Sequence, residues 1–160
     1  MLSSENSVPN APKHTIAAAA YVRNEKGEVL VVRTHGRSDT WELPGGQVEE
    51  GEPPHLAVCR ELHEETGITA RPIGITGVYY NTTSHILAIV FECEYIGGEL
   101  QIQPEEILEA KFVQLDERNI SEYITRPHMK SRTLDAMNSK GKIPYEAWDV
   151  RPFKLLSRLD

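Results

Sequence analysis

Six carboxylates and a single full cation lie between residues 46 and 68, which makes this segment the part of the chain best equipped for chemistry. On a helix, Glu61 precedes Glu64 by three residues and Glu65 by four, so the three side chains point to one side. Like charges at this spacing destabilise a helix by about 0.2–0.5 kcal/mol per pair. A divalent cation such as Mg²⁺ reverses that sign, because it binds oxygen ligands and retains waters and substrate phosphates. The spacing therefore indicates a metal platform for a polyphosphate, with a solvated acidic helix face as the alternative.

The sequence also predicts the helix that would carry these residues, over 53–66. Its apolar residues recur at a spacing that gives one buried stripe: Leu56, Ala57, Cys59 and Leu62. Pro53 stands near the predicted start and Gly67 directly after the predicted end, which is the usual asymmetry of a helix. The carboxylates thus have an element that positions them.

A longer pattern surrounds the carboxylates. Gly46 is followed by five residues and then Glu52, and seven residues later the chain reads Arg60-Glu-Leu-His-Glu-Glu-Thr-Gly-Ile68. This pattern resembles the signature of the Nudix hydrolase family, because all seven fixed positions match and Leu62 fills an apolar one. At an average usage of roughly 7% per residue type, chance agreement at one start is on the order of 10⁻⁸.

The resemblance, which is close over residues 15–68 and looser over 69–115, implies a fold and a reaction. The implied fold is α/β (α+β), a Nudix-like mixed curved β-sheet sandwiched between α-helices. The implied reaction is Mg²⁺- or Mn²⁺-dependent hydrolysis of the diphosphate linkage of a nucleoside diphosphate linked to another moiety. A nucleoside triphosphate or a nucleotide sugar would be such a substrate. We therefore expect a Nudix pyrophosphohydrolase whose partner is a small nucleoside diphosphate derivative.

The resemblance also implies roles for the residues of the motif. Carried over by position, the metal ligands are the carboxylates of Glu61, Glu64 and Glu65 and the carbonyl oxygen of Gly46. Either Glu64 or Glu65 would in addition orient or deprotonate the attacking water. Arg60 and Glu52 would stand behind the ligands and fix the carboxylates through charge-assisted hydrogen bonds.

Outside the motif, we expect four residues to contact substrate: Arg33, Arg37, Tyr80 and Glu109. A guanidinium matches the geometry of a phosphate, and a tyrosine ring can contact a base. The alternative for the arginines is an ordinary surface cation. Glu109 belongs, with Glu105 and Glu106, to a group of three carboxylates from which a distant loop would supply one more acidic group. The alternative for this group is a polar loop before a strand.

A small basic cluster interrupts the acidic chain at residues 127–132, where the sequence reads Pro-His-Met-Lys-Ser-Arg. It lies at the start of a helix predicted over 127–137. The cluster either caps the site, contacts substrate or forms a solvated helix start, and the sequence favours the solvated helix start.

The composition limits the partners of the protein. Its 160 residues carry a net charge of −7, so it is a poor binder of long nucleic acid and of an anionic membrane surface. The longest apolar run, residues 16–22, is far shorter than the roughly 18 residues that span a bilayer. The first residues lack the pattern of a secretory signal, and the two cysteines are taken as reduced. We therefore expect a cytoplasmic protein that does not bind membranes.

The rest of the chain is predicted as a flexible tail over 1–12 and one domain over 13–160. Residues 15–33 are predicted as a hairpin of two strands, and residues 35–40 as a loop. Further strands are predicted over 73–80, 86–95 and 110–115, while 144–160 has no assignment. This order of elements indicates one mixed α/β or α+β domain.

A second class of function is compatible with the same fold: a nucleotide-sensing binding module without turnover. Such a module does not need the whole carboxylate set, and here no member of the set is missing. The intact set favours the enzyme. The identity of the nucleotide and the formation of a homodimer stay open, because the motif fixes neither.

Overall fold

The computed structural model describes residues 10–141 and 143–160. Along them the elements occur in the order β1 (Thr15–Arg23), β2 (Val29–Thr34), β3 (Arg37–Glu42), β4 (Gly45–Gln47), α1 (Pro54–Thr66), β5 (Thr69–Asn81), β6 (Ile86–Gly97), β7 (Ile107–Val113), α2 (Ile120–Tyr123), α3 (Pro127–Met137), β8 (Tyr145–Val150) and β9 (Phe153–Leu159). Residues 1–9 of the predicted tail lie outside the described residues. The predicted helices over 53–66 and 127–137 correspond to α1 and α3.

The sheet is organised around β1, which pairs with β6 along its whole length. The two strands run parallel, from Thr15 opposite Ile86 to Arg23 opposite Glu94. β5 extends the sheet beyond β6, and β2 and β3 extend it on the other side of β1. β4 pairs antiparallel with β1, and β7 pairs antiparallel with β2. The sheet is therefore mixed, as the implied fold requires.

The uninterrupted apolar sequence of β1 reflects burial on both faces of the sheet. Because side chains alternate along a strand, Ala18 and Ala20 pack into one core with Leu62 of α1. Ala19 packs into a second core on the opposite face with Ala136 of α3. The sheet thus lies between α1 and α3, and the prediction of a sheet sandwiched between helices is confirmed.

Of two predictions about the chain around β2, the hairpin is confirmed only next to its turn and the loop is wrong. The predicted hairpin over 15–33 is confined to the turn, where Arg23 opposes Val29, because β2 pairs mainly with β7 and β3. Residues 35–40 do not form a loop, since β3 begins at Arg37. The polar composition of β3 concealed the strand, because a strand at the end of a sheet tolerates exposed side chains at alternate positions.

The C-terminal residues, which had no predicted assignment, form the antiparallel hairpin β8–β9. Tyr145 attaches this hairpin to α1, because its hydroxyl oxygen lies 2.9 Å from Nδ1 of His55. The Tyr145 ring also meets Phe91 of the core edge to face, with a centroid distance of 5.6 Å. The predicted strand over 110–115 begins earlier than expected, at Ile107, and the short helix α2 was not predicted.

Candidate active site

Helix α1 begins and ends where the sequence signals indicate. Pro54 occupies its first turn, where a missing N–H leaves no hydrogen bond unmade. Gly67 follows its last residue with a φ of 76°, a left-handed conformation that favours glycine, and its N–H donates to the His63 carbonyl. Val58 and Leu62 are fully buried and fix the rotation of the helix. The face that carries Arg60, Glu61 and Glu64 is therefore held in one orientation.

Arg60 forms hydrogen bonds with most of the charged residues around this face. Its Nε and Nη2 donate to the two carboxylate oxygens of Glu52, at 2.7 and 2.9 Å. Its Nη1 donates to Glu61 at 3.0 Å and to Glu64 at 3.2 Å, and Nη2 also donates to the carbonyl of Gln47 at 3.1 Å. One guanidinium thus connects the loop before α1 to two of the predicted ligands, in the supporting position that the resemblance implies.

Glu61 lies directly against Gly46 of β4. A Cβ atom built at Gly46 would stand 2.5 Å from the Glu61 carboxyl carbon, so only glycine leaves room for this carboxylate. The carboxyl group is half-buried, and burial raises its pKa above the usual range, although Arg60 opposes the shift. The predicted carboxylate ligand and the predicted backbone ligand are therefore neighbours.

Glu65 is the most deeply buried of the three carboxylates, with 6% of its surface exposed. One of its oxygens accepts the N–H of Gly45 at 3.0 Å. Burial raises the pKa of Glu65 to about 8, and the nearby charges of Glu61 and Glu106 add to the rise. Without a bound cation, burial therefore favours the protonated form of Glu65.

The donor set suits a hard divalent cation. Glu61 and Glu65 are carboxyl groups that burial makes reluctant to ionise, and a cation would relieve that cost by compensating their charge. Within residues 10–141 and 143–160, no three side chains of Asp, Glu, His or Cys lie close enough together to hold a metal ion. Glu61 and Glu64 are turned toward Arg60, while Glu65 is turned toward Gly45.

The three distant carboxylates have different surroundings. Glu109 pairs with Arg33 across β2 and β7, so each of these two expected substrate residues neutralises the other. Glu106 acts on the site, because its charge contributes to the raised pKa of both Glu61 and Glu65. The influence of its charge on the pKa of Glu61 and of Glu65 therefore favours Glu106 over Glu109 as the additional acidic group near the motif.

A cavity of about 720 Å³ opens beside the carboxylates and shares Gly45 and Gly46 with them. Its other walls come from β1, the end of β3, the β5–β6 turn and the first half of α3. Of the residues that the sequence places at the substrate, Arg37 and Tyr80 line this cavity. Arg33 and Glu109 are not among the residues that line the cavity. A volume of this size is typical of a small-molecule site.

The basic cluster of α3 also lines the cavity, through His128 and Arg132, with Arg126 from the preceding turn. The sequence favoured a solvated helix start for this cluster, and Pro127 and His128 are exposed, but His128 and Arg132 also line the same cavity as Gly45 and Gly46. Its composition was visible in the sequence. Its position was not, because it depends on how α3 packs on β5 and β6 more than 30 residues away.

Comparison with known proteins places this architecture in a family. The NUDIX domain family model matches residues 13–131. A MutT-like protein from Streptomyces ambofaciens is 36% identical over 140 residues, which span 88% of each chain. The chain belongs to the Nudix hydrolase family. An ADP-ribose pyrophosphatase from Methanocaldococcus jannaschii is 32% identical over 64% of each chain.

A solved Nudix structure agrees with the sequence relatives. The crystal structure of a MutT protein from Methanosarcina mazei Go1 is 34% identical and covers 84% of this chain and 100% of its own, with a TM-score of 0.65. The predicted family, the mixed α+β fold and the class of enzyme, a Nudix pyrophosphohydrolase, are confirmed. Among the described residues, no helix has the length and apolar character needed to cross a membrane.

Proposed function

We propose that this Nudix hydrolase cleaves the diphosphate linkage of a nucleoside diphosphate derivative and that it requires Mg²⁺ or Mn²⁺. The observation that carries the proposal is that two motif carboxylates lie against glycines that line the cavity. Glu61 packs on Gly46, Glu65 bonds to Gly45, and both glycines line the cavity. A nucleotide in the cavity would therefore lie beside the acidic groups.

The groups that would hold the cation are the carboxylates of Glu61, Glu64 and Glu65 and the carbonyl of Gly46. Bound there, a divalent cation neutralises the diphosphate and makes water a better nucleophile near neutral pH. To bind a cation, Glu65 would have to be ionised, although burial raises its pKa to about 8 in the free site. Arg60 would hold Glu61 and Glu64 in place and is itself held by Glu52.

We assign the role of proton acceptor to Glu64. Its side chain is half exposed, and Arg60 occupies one of its oxygens, Oε2. The other oxygen faces no donor among the described residues, so it is available to accept a proton from the water that attacks phosphorus. Glu65 is less suited to this role, because it is buried and bonded to Gly45.

A small nucleotide fits the site better than a long nucleic acid. The cavity volume of about 720 Å³ suits one nucleotide, and the chain as a whole carries a charge of −7. Relatives of this chain include enzymes named ADP-ribose pyrophosphatase and RNA pyrophosphohydrolase. These names support a substrate with a diphosphate bridge. A cytoplasmic location, a homodimer and a single domain over 13–160 stay predictions.

The test is a panel of nucleoside triphosphates, nucleotide sugars and dinucleoside polyphosphates, incubated with Mg²⁺, with Mn²⁺ and with EDTA. We expect products of diphosphate cleavage with either cation and none with EDTA. Glu64→Gln should lower kcat by about a hundredfold or more, as loss of a proton acceptor does. Glu50→Gln removes the same charge from an exposed loop residue and should leave kcat within about twofold.

Two results would contradict the proposal. Full turnover by Glu64→Gln would remove the assigned role of this residue. Tight binding of a nucleotide in calorimetry, without any product on the whole panel, would favour the nucleotide-sensing module instead.

A further inference from the structure

Arg132 differs from the other arginines of the cavity in having no hydrogen-bonded or ion-paired partner among the described residues. It is half-buried, and within the described part of the chain it forms neither a hydrogen bond nor an ion pair. Arg37 donates two hydrogen bonds of 2.8 Å to Glu42, and Arg126 pairs in the same bidentate manner with Asp39. Arg132 is thus the guanidinium of the cavity wall that no described carboxylate contacts, although the charge of Glu42 acts on it.

The wall around Arg132 is positive although the chain as a whole is acidic. Three arginines and one glutamate line the cavity, and that glutamate, Glu42, is already bound by Arg37. His128 lies one helical turn before Arg132, and burial together with the charge of Arg132 and Arg126 lowers its pKa. Asp135 also lies on α3, where its carboxylate accepts the hydroxyl of Tyr79 at 2.7 Å, but it is not among the residues that line the cavity. The charge of Arg132, which no lining carboxylate pairs with, therefore favours an anion at this wall.

We propose that Arg132 binds a phosphate of the substrate that lies beyond the diphosphate held by the motif, and so sets the preference for substrates with an additional phosphate. This inference rests on the proposed function, because the motif must bind a diphosphate for another phosphate to lie beyond it. The additional group is either the third phosphate of a polyphosphate chain or a phosphate on the far moiety. A guanidinium suits either, since its fork matches two phosphate oxygens.

The floor of the cavity leaves room for such a substrate. The strand β1 contributes Ala17, Ala18 and Ala19 to the lining, and β4 lies beside them with Gly46 opposite Ala18. Ala17 and Ala19, which alternate along β1 with the core residue Ala18, place only small side chains on the cavity face of this strand. Arg132 and Gly46 belong to the same cavity, so one extended ligand can contact both.

If Arg132 binds a phosphate and does not support the fold, its replacement should leave the stability of the protein intact. Burial lowers the pKa of Arg132, which means that its charge is poorly solvated in the free protein. An unpaired, partly buried cation does not stabilise the fold, so its replacement by an apolar side chain of similar length should not lower Tm. Arg132→Met is therefore expected to keep or raise Tm while it weakens binding.

The experiment measures the affinity of the Mg²⁺-loaded protein for two pairs of ligands by calorimetry. One pair is methylenediphosphonate and its bis-methylene triphosphate homologue. The other is an α,β-methylene analogue of ADP-ribose with and without a 2′-phosphate. The methylene bridge replaces the cleaved oxygen, so the ligands persist during the measurement. In each pair, the ratio of the two affinities measures the contribution of the added phosphate, because both members share the diphosphate.

We expect the natural protein to prefer the member with the added phosphate in one pair, and that pair identifies the source of the phosphate. Arg132→Gln and Arg132→Met should reduce this preference by roughly ten- to a hundredfold, and Arg132→Lys should lose part of it. Arg118→Gln removes the same charge from an exposed residue outside the cavity lining and should leave the ratio unchanged.

The inference is overturned if the natural protein shows no preference in either pair, or if Arg132→Gln weakens both members of a pair equally. A fall in Tm of Arg132→Met with unchanged ratios would also overturn it, because that result describes a structural residue. Hydrolysis on the substrate panel is measured separately, so a failure of the proposed function remains distinguishable from a failure of this inference.

Discussion

Arg60 and Glu52 are joined by two parallel hydrogen bonds, from Nε at 2.7 Å and from Nη2 at 2.9 Å. This bidentate pair closes the loop between β4 and α1, and the bonds from Arg60 lower the pKa of Glu52. The remaining nitrogen, Nη1, is then aimed at Glu61 and Glu64. The positions of the Glu61 and Glu64 carboxylates thus depend on the bidentate pair that Arg60 forms with Glu52.

Replacement of Arg60 by lysine should separate charge from geometry. Lysine keeps the positive charge but has a single nitrogen, so it cannot bond Glu52 twice and still reach Glu61 and Glu64. We expect Arg60→Lys to weaken Mn²⁺ binding by roughly ten- to a hundredfold, as loss of a supporting residue does. Mn²⁺ titration followed by electron paramagnetic resonance measures the change. Arg71→Lys, at an exposed pair with Glu94 on the sheet, is the control and should bind Mn²⁺ normally.

The two glycines of β4 should respond differently to alanine. At Gly46 the added Cβ meets the end of the Glu61 side chain, which can swing away, so Gly46→Ala should fold and lose at least about tenfold in Mn²⁺ affinity. At Gly45 the Cβ would overlap the backbone oxygen of Ala18, which cannot move without breaking the pairing of β1 and β4. Gly45→Ala should therefore unfold more easily, by more than about 2 kcal/mol.

Urea unfolding and Mn²⁺ titration of the two variants check this contrast. Gly36→Ala is the control, because nothing lies within 4 Å of its Cβ position and its backbone is unstrained. Normal Mn²⁺ affinity in Gly46→Ala would show that the Glu61 carboxylate does not need the space at this glycine.

The helix and its acidic face could be predicted from the sequence, because the signals are local. Pro54 and Gly67 mark the ends of α1, and the spacing of Glu61, Glu64 and Glu65 depends only on the helical period. The strand β3 could not be predicted, since its side chains are polar on the exposed face. Its buried residues, Thr40 and Glu42, are polar as well and satisfy hydrogen bonds with the backbone or with Arg37.

The groups that face the motif from elsewhere depend on tertiary packing. Glu105, Glu106 and Glu109 are equivalent in the sequence, and only the register of β7 on β2 pairs Glu109 with Arg33. Arg132 likewise lies in a polar stretch that suits an exposed helix. Its place in the cavity follows from the packing of α3 on the sheet, through residues such as Ala136 that contact the core.

The raised pKa of Glu65 predicts a pH dependence of stability in the metal-free protein. The folded pKa of about 8 exceeds the ordinary value of 4.5, so between these values the folded state binds more protons than the unfolded state. The stabilising contribution of the protonated group is complete below about pH 4.5 and is lost as the pH rises through about 8. In EDTA, the free energy of unfolding should therefore fall over this range by an amount on the order of a few kcal/mol.

Urea unfolding at several pH values, compared between the natural protein and Glu65→Gln, isolates this contribution. The glutamine keeps an oxygen for the Gly45 N–H and does not titrate, so the difference between the two proteins should favour the variant increasingly toward pH 9. Saturating Mg²⁺ should reverse the order, because it stabilises the ionised carboxylate of the natural protein. Parallel pH profiles of the two proteins in EDTA would refute the shifted pKa.

The hairpin β8–β9 should depend on Tyr145 for its attachment to the rest of the fold. The Tyr145 hydroxyl contacts Nδ1 of His55 at 2.9 Å, and its ring packs edge to face on Phe91. Tyr145→Phe removes this bond and the one of 3.3 Å that the hydroxyl accepts from the His55 N–H, and it should lower the free energy of unfolding by about 1–2 kcal/mol. Tyr145→Ala also removes the ring and should cost about 3 kcal/mol. Hydrogen exchange should then become faster in β8 and β9 than in β1, while kcat with Mg²⁺ stays unchanged, because Tyr145 touches neither the motif carboxylates nor the lining of the cavity. Slow exchange in the hairpin of Tyr145→Ala would mean that Leu159 and its neighbours hold these strands without the tyrosine.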